Sequence, residues 1–172
     1  SHIRYGDGHI IFKMNSMTDK DIMAALILAD EQGVNIELII RGINCLDNHG
    51  TNIKIRSIIG RFLEHSRVYY FRHHLEPIML VSSADLMTRN TMKRIESTTL
   101  IRDDHILNSI LESLLLQLRD DIECFELINH HYVFKKGIDV QRLHMSLPSM
   151  NIESKESFMN KFIKKLTSIN QR

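Results

Sequence analysis

The stretch that most restricts the fold lies near the amino end, where two short apolar segments bracket a helix with almost no chain between them. Gly8-His-Ile-Ile-Phe-Lys13 follows a Gly-Asp-Gly turn and reads as a strand. Thr18 is placed to cap a helix, with Asp19 and Asp21 in its first turn, where the helix dipole favours negative charge. The helix is expected to run to about Gln32, with Gly33 at the left-handed position that ends many helices. Met23-Ala-Ala-Leu-Ile-Leu-Ala29 is apolar nearly all round, which predicts burial on more than one side. Ile36-Glu-Leu-Ile-Ile-Arg41 then forms a strand of the buried sort. Strand, helix and strand joined by short links make a βαβ unit, which demands parallel neighbours and a sheet covered by helices. The class is α/β.

The remaining segments extend this sheet. Asp47-Asn-His-Gly-Thr-Asn52 is a loop by composition, and Ile53 to Ser57 alternates as a strand. Arg67 to Phe71 and Pro77 to Ser82 read as an antiparallel hairpin, and Lys93 to Thr99 as a further strand. From Asp103 or Asp104, Ile106, Leu107, Ile110, Leu111, Leu114, Leu115 and Leu118 fall on one helical face, ending near Asp120. Phe125 to Lys135 holds a last strand. Beyond Gly137 the pattern is weak until about Ser154, where Phe158, Met159, Phe162, Ile163 and Leu166 mark an amphipathic helix. The expected architecture is a mixed, mostly parallel sheet flanked by helices. It spans residues 1–136, followed by an extension, 137–172, that belongs to the same unit or to an interface.

Composition excludes several classes. With 172 residues, 25% charged and only 2 prolines, the chain is neither disordered nor low in complexity. No apolar run is long enough to span a bilayer, and no secretory signal is visible at the amino end. Cys45 and Cys124 have no metal-ligand spacing and suit a reducing compartment. The pairs His73-His74 and His130-His131 would point to opposite faces of a strand, so no metal site is expected. The glycines never form a nucleotide loop of the GxxxxGK[ST] or GxGxxG kind. Charge is unevenly spread: Arg41 to Arg94 holds nine basic and four acidic residues, a local net of +5, within a chain of net charge +1. Arginine suits bidentate contact with phosphate or carboxylate oxygens, so this block suggests an anion site, against the plainer reading of a solvated face.

Four spots combine reactive residues with strand ends, where open α/β sheets place their ligands. They are Lys13 to Asn15, Arg41, Glu64-His65-Ser66-Arg67, and Ser82 to Asp85 with Arg89-Asn90 beyond. A histidine beside arginine and opposite an aspartate can serve phosphoryl transfer: imidazole as nucleophile or general acid, carboxylate to orient it, guanidinium to hold the phosphate. A strand-start histidine is more often an ordinary half-buried residue, and Arg61, Arg67 and Asp85 could equally form structural ion pairs.

These stretches taken together resemble the C-terminal catalytic domain of bacterial polyphosphate kinase. The matching text is Phe12-Lys-Met-Asn-Ser16, Gly33-Val34, Leu38-Ile-Ile-Arg-Gly-Ile43, Ser57-Ile-Ile-Gly-Arg-Phe-Leu-Glu-His-Ser-Arg67 and Ser82-Ser-Ala-Asp-Leu-Met-Thr-Arg-Asn90, in order over residues 8–135. The resemblance implies a phospholipase D-like fold, in which two similar domains face one another and each gives a histidine to a shared centre. It implies reversible transfer of the terminal phosphate of ATP to polyphosphate, through a phosphohistidine on an earlier domain. On that pattern this chain carries the second histidine, His65, as catalytic and phosphate-contacting residue, and Arg41 as the nucleotide-phosphate arginine. Glu64 and Asp85 would orient His65. Arg67, Arg89, Asn90, Lys13 and Asn15 would support the anion.

The sequence departs from the family in a short loop after Leu46, in Leu86 where a tryptophan is common, and in Arg72 where the wider phospholipase D motif has aspartate. Nothing in the chain matches the family's N-terminal domains, so the expectation is one domain of a longer protein, inactive by itself. ATP and ADP are the expected substrates, with magnesium in the full enzyme held by ligands outside this chain. Expected partners are polyphosphate, the upstream domains and further copies in a homo-oligomer, with no nucleic acid and no transmembrane segment. The expected location is the cytoplasm or the inner face of its membrane. Two other readings compete: a dimeric phosphodiesterase of phospholipase D type, and a non-enzymatic polyphosphate-binding or assembly module.

Overall fold

A computed structural model describes residues 8–73 and 76–146. The amphipathic helix expected from Ser154 and His74 of the first histidine pair lie outside the described residues. Eight strands form one sheet: β1 (His9–Met14), β2 (Asn35–Ile40), β3 (Lys54–Ser57), β4 (Val68–His73), β5 (Glu76–Ser82), β6 (Thr98–Ile101), β7 (Cys124–Ile128) and β8 (His131–Lys135), in the order β6-β5-β4-β1-β2-β3-β7-β8. Four helices accompany it: α1 (Lys20–Glu31), α2 (Thr88–Lys93), α3 (Asp104–Gln117) and α4 (Val140–Ser146).

The βαβ unit is present, with β1 and β2 parallel through α1. The sheet is mixed and flanked by helices, but it is not mostly parallel. Only β1–β2 and β2–β3 are parallel, whereas β1–β4, β3–β7, β4–β5, β5–β6 and β7–β8 are antiparallel. A crossover helix dictates parallel pairing only for the strands it joins; the links after β4 and β7 are too short for anything but hairpins.

Strand alternation explains why β1 and β2 are apolar almost without interruption. Ile10, Phe12 and Met14 of β1, with Ile36, Leu38 and Ile40 of β2, pack against Leu26 and Ala29 of α1. Ile11 and Ile39 point the other way, into a second core with Leu107, Leu114 and Leu116 of α3 and Val140 of α4. Truncating Leu38, which is fully buried, to alanine is expected to cost about 2–5 kcal/mol of stability, read as a lower urea midpoint.

Several local expectations are corrected. Asp19, not Thr18, caps α1, its carboxylate accepting from the backbone nitrogens of Asp21 and Ile22. The apolar stretch of α1 buries one face only; Ala24, Ala25 and Leu28 are exposed. Lys93 to Thr99 is not a strand: Lys93 ends α2 and β6 begins at Thr98. Phe125 to Lys135 is two strands, turning at Asn129 and His130 with φ of 47° and 68°. His130 therefore sits in a turn rather than on a strand. The stretch after Gly137 holds α4, and Ile138 bridges to Ile122.

Candidate functional site

Register carries five strand ends to one edge of the sheet. Lys13 lies beside Ile39 on one side and Val68 on the other; Ile39 continues to Arg56 and Val68 to Val81. Because β4 alone among β1 to β5 runs antiparallel to β1, the carboxyl ends of β1, β2, β3 and β5 and the amino end of β4 share this edge. Arg41 follows β2, the irregular loop 58–67 joins β3 to β4, and Asp85 follows β5.

At the centre is a relay of three groups. The Asp85 carboxylate accepts from Arg67 at 3.2 Å (Nε) and 3.1 Å (a terminal nitrogen), and from the backbone nitrogens of Asn15 at 2.8 Å and Ser16 at 3.3 Å. Burial alone would raise its pKa; the Arg67 hydrogen bonds, then that from Asn15, outweigh it and hold the carboxyl below its usual range. The other terminal nitrogen of Arg67 lies 2.8 Å from His65 Nδ1 and 3.1 Å from its carbonyl oxygen. Guanidinium can only donate; of the two ring nitrogens Nδ1 is the nearer, at 2.8 Å against 3.4 Å for Nε2, so Nδ1 is the acceptor and a neutral ring carries its proton on Nε2. The His65 ring is exposed at the edge. Tyr69 donates to the Ala84 carbonyl at 2.6 Å, with burial keeping its hydroxyl protonated, and so fixes the backbone beside Asp85.

A second set lies behind the first. The Lys13 ammonium pairs with Glu64 and donates to Gln117 Oε1 of α3 at 2.8 Å. Arg41 donates from one terminal nitrogen to the Glu64 carbonyl at 3.0 Å and is only partly buried. His144 of α4 lies close to Glu64 and Lys13; burial lowers its pKa.

The edge thus assembles Lys13, Asn15, Arg41, Glu64, His65, Arg67 and Asp85, with changed roles. Asp85 reaches His65 only through Arg67. Glu64 faces Lys13 and leaves His65 alone. Lys13 is buried in that pair, while the Asn15 side-chain nitrogen is buried with no protein partner. Arg89 and Asn90 lie on α2; Asn90 donates to Glu96 at 2.7 Å and does not join the relay. Arg72 pairs with His9 at the opposite end of β4, so its departure from the phospholipase D motif does not touch His65. Sequence reasoning passed over Gln117, Gln141 and His144, although Gln117 and Gln141 are among the few buried polar residues. A glutamine on the apolar face of the 104–117 helix was the available signal for the first.

Magnesium fits this edge poorly. Its two carboxylates, Glu64 and Asp85, are each neutralised by a paired cation, and the described residues bring together no group of three His, Cys, Asp or Glu side chains suited to a metal.

Comparison with known proteins identifies the family of the chain. The family described as "Polyphosphate kinase C-terminal domain 2" matches residues 2–144. A polyphosphate kinase of Exiguobacterium sibiricum is 38% identical over 177 aligned residues, covering 98% of this chain and 25% of that protein. One of Staphylococcus saprophyticus is 46% identical over 140 residues, covering 77% of the chain and 20% of the protein. The chain therefore spans a quarter or less of the length of these relatives. The crystal structure of polyphosphate kinase from Porphyromonas gingivalis superposes with a TM-score of 0.76 at 30% identity, over 83% of this chain and 24% of that one. A phospholipase D family member, Nuc from Salmonella typhimurium, matches at a TM-score of 0.51 and 16% identity over 79% and 89% of the two chains, a likeness of fold alone. With the family matched over residues 2–144 of its 172, the chain belongs to the polyphosphate kinase C-terminal domain family.

Proposed function

We propose that this domain supplies half of a phosphoryl-transfer centre within a longer polyphosphate kinase, which moves the terminal phosphate of ATP to polyphosphate and back. The observation that carries the reading is the convergence of His65, Arg67 and Arg41 on one sheet edge, with Asp85 fixing Arg67 from behind. A histidine nitrogen on another domain attacks the γ-phosphorus; the bond to the bridging oxygen breaks and ADP leaves. The terminal oxygen of polyphosphate then attacks the same phosphorus and the P–N bond breaks.

This chain's residues act on charge and position. His65 presents Nε2–H as a hydrogen-bond donor to phosphoryl or bridging oxygen and Arg41 offsets charge on the phosphates, while Arg67, paired with Asp85, holds the His65 ring; position and charge are most of what phosphoryl transfer requires. Magnesium would be held by the substrate phosphates and by residues outside this edge. Among the described residues no helix is long and apolar enough to cross a membrane.

In the longer protein, γ-labelled ATP is expected to yield acid-insoluble labelled polymer, and polyphosphate with ADP to yield ATP. The 172-residue chain alone is expected to do neither. Synthesis by the isolated chain would overturn the half-centre, and its absence in the longer protein would overturn the reaction.

A further inference from the structure

Loop 58–67 carries His65 but contains no helix or strand. Its backbone therefore has no ladder or helix partners of its own. Both polar backbone groups of Phe62 are taken by one side chain of α4: Gln141 Oε1 accepts from the Phe62 nitrogen at 2.7 Å, and Gln141 Nε2 donates to the Phe62 oxygen at 2.7 Å. This is the two-bond exchange of an antiparallel ladder, with a side-chain amide acting as the second strand. Nε2 also lies 3.3 Å from Glu64 Oε1, and the Glu64 carbonyl holds Arg41 at 3.0 Å. One buried amide, 5% exposed, thus touches the loop at Phe62 and Glu64, immediately before His65 and beneath Arg41.

Gly60 gives an independent sign that this approach is built in. A Cβ there would stand 2.5 Å from Gln141 Oε1 and 2.6 Å from its Cδ, so the loop backbone lies flat against the amide and any larger residue would push the amide away. A residue needed merely to fill the core beside Val140 could be apolar; an apolar side chain would leave both Phe62 groups unpaired.

We propose that Gln141 is a positioning residue for the phosphate-facing edge. It fixes loop 58–67, and through it Arg41 and His65, for the transfer reaction; the proposal rests on the reading of those two residues given above. Gln141→Met keeps the volume and removes both bonds to Phe62. In the longer protein it is expected to raise KM for ATP about fivefold and lower kcat about tenfold or more, because small misplacements of a reacting set are costly. A loss of folded protein alone would lower kcat and leave KM in place. Trypsin cleavage after Arg61 is expected to quicken in parallel.

Gly60→Ala, which keeps Gln141 but collides with it, is expected to give the same changes. In a Gln141→Ala background it should add little, since the obstructing amide is gone. Unchanged KM, kcat and cleavage in Gln141→Met, or a Gly60→Ala cost equal in both backgrounds, would overturn the proposal. His65→Ala separates the two readings. Full turnover in that variant defeats the assignment of the site, whereas the Gly60–Gln141 coupling in the trypsin rate still decides the clamp.

Discussion

His65→Ala, made in the longer protein that contains this chain, is expected to lower turnover about a thousandfold or more while barely moving the unfolding midpoint. The two halves of this expectation have separate physical grounds. His65 is exposed, and its described side-chain contacts run to Arg67, which keeps both bonds to Asp85 when the ring is removed. Surface changes that leave no buried group unpaired fall within about 0.5 kcal/mol of neutral. The loss of turnover comes from removing a donor aimed at developing phosphate charge, worth about 10²–10³, and any proton transfer through the same ring, about 10²–10⁴. Steady-state rates beside urea unfolding check both. Unchanged turnover removes His65 from the mechanism, and a stability loss of several kcal/mol would make it a structural residue.

The strand-end positions of Arg41, His65 and Asp85 were legible because a βαβ unit forces the direction of its strands, and direction fixes which ends face a ligand. Their partners were legible in part. The sequence offered Arg67 and Asp85 as an ion pair and β4 and β5 as a hairpin, and the two residues, 18 apart, meet because the ends of that hairpin close on each other. Glu64 is adjacent to His65 in sequence but turns to Lys13, since β1 directs Ile11 and Lys13 to the α3 face while Ile10, Phe12 and Met14 face α1. Gln117 and Gln141 carry no charge and no reactivity, so no search for chemistry singles them out; burial alone marks them. The turn at Asn129-His130 lacks the glycine that usually signals such hairpins, which hid the boundary between β7 and β8. Short α2 escaped for a related reason: its cap position is held by Met87, a residue type that no capping pattern singles out.

Asp85→Ala is expected to destabilise the domain by about 3–5 kcal/mol near neutral pH, the cost of removing one partner from a buried ion pair. Both side chains qualify, at 13% exposure for Arg67 and 10% for Asp85. The alanine would leave the largely buried Arg67 guanidinium with only His65 to bond, and would strip the Asn15 and Ser16 nitrogens of their acceptor. The pH dependence has a definite sign. The folded carboxyl titrates below its unfolded value of about 3.9, so its contribution is complete above that pH and fades as pH drops through the lower folded value. Urea unfolding of the domain from pH 7 down to about 3 should therefore show wild type losing its advantage over Asp85→Ala on the acid side, where the two curves converge. A neutral-pH difference under about 1 kcal/mol, or parallel curves through the acid range, would mean that the carboxylate is not what holds Arg67. Turnover is coupled to this pair as well: an Arg67 no longer pinned from behind cannot keep Nδ1 of His65 engaged and Nε2–H presented to phosphate, so the variant should lose activity even where it remains folded.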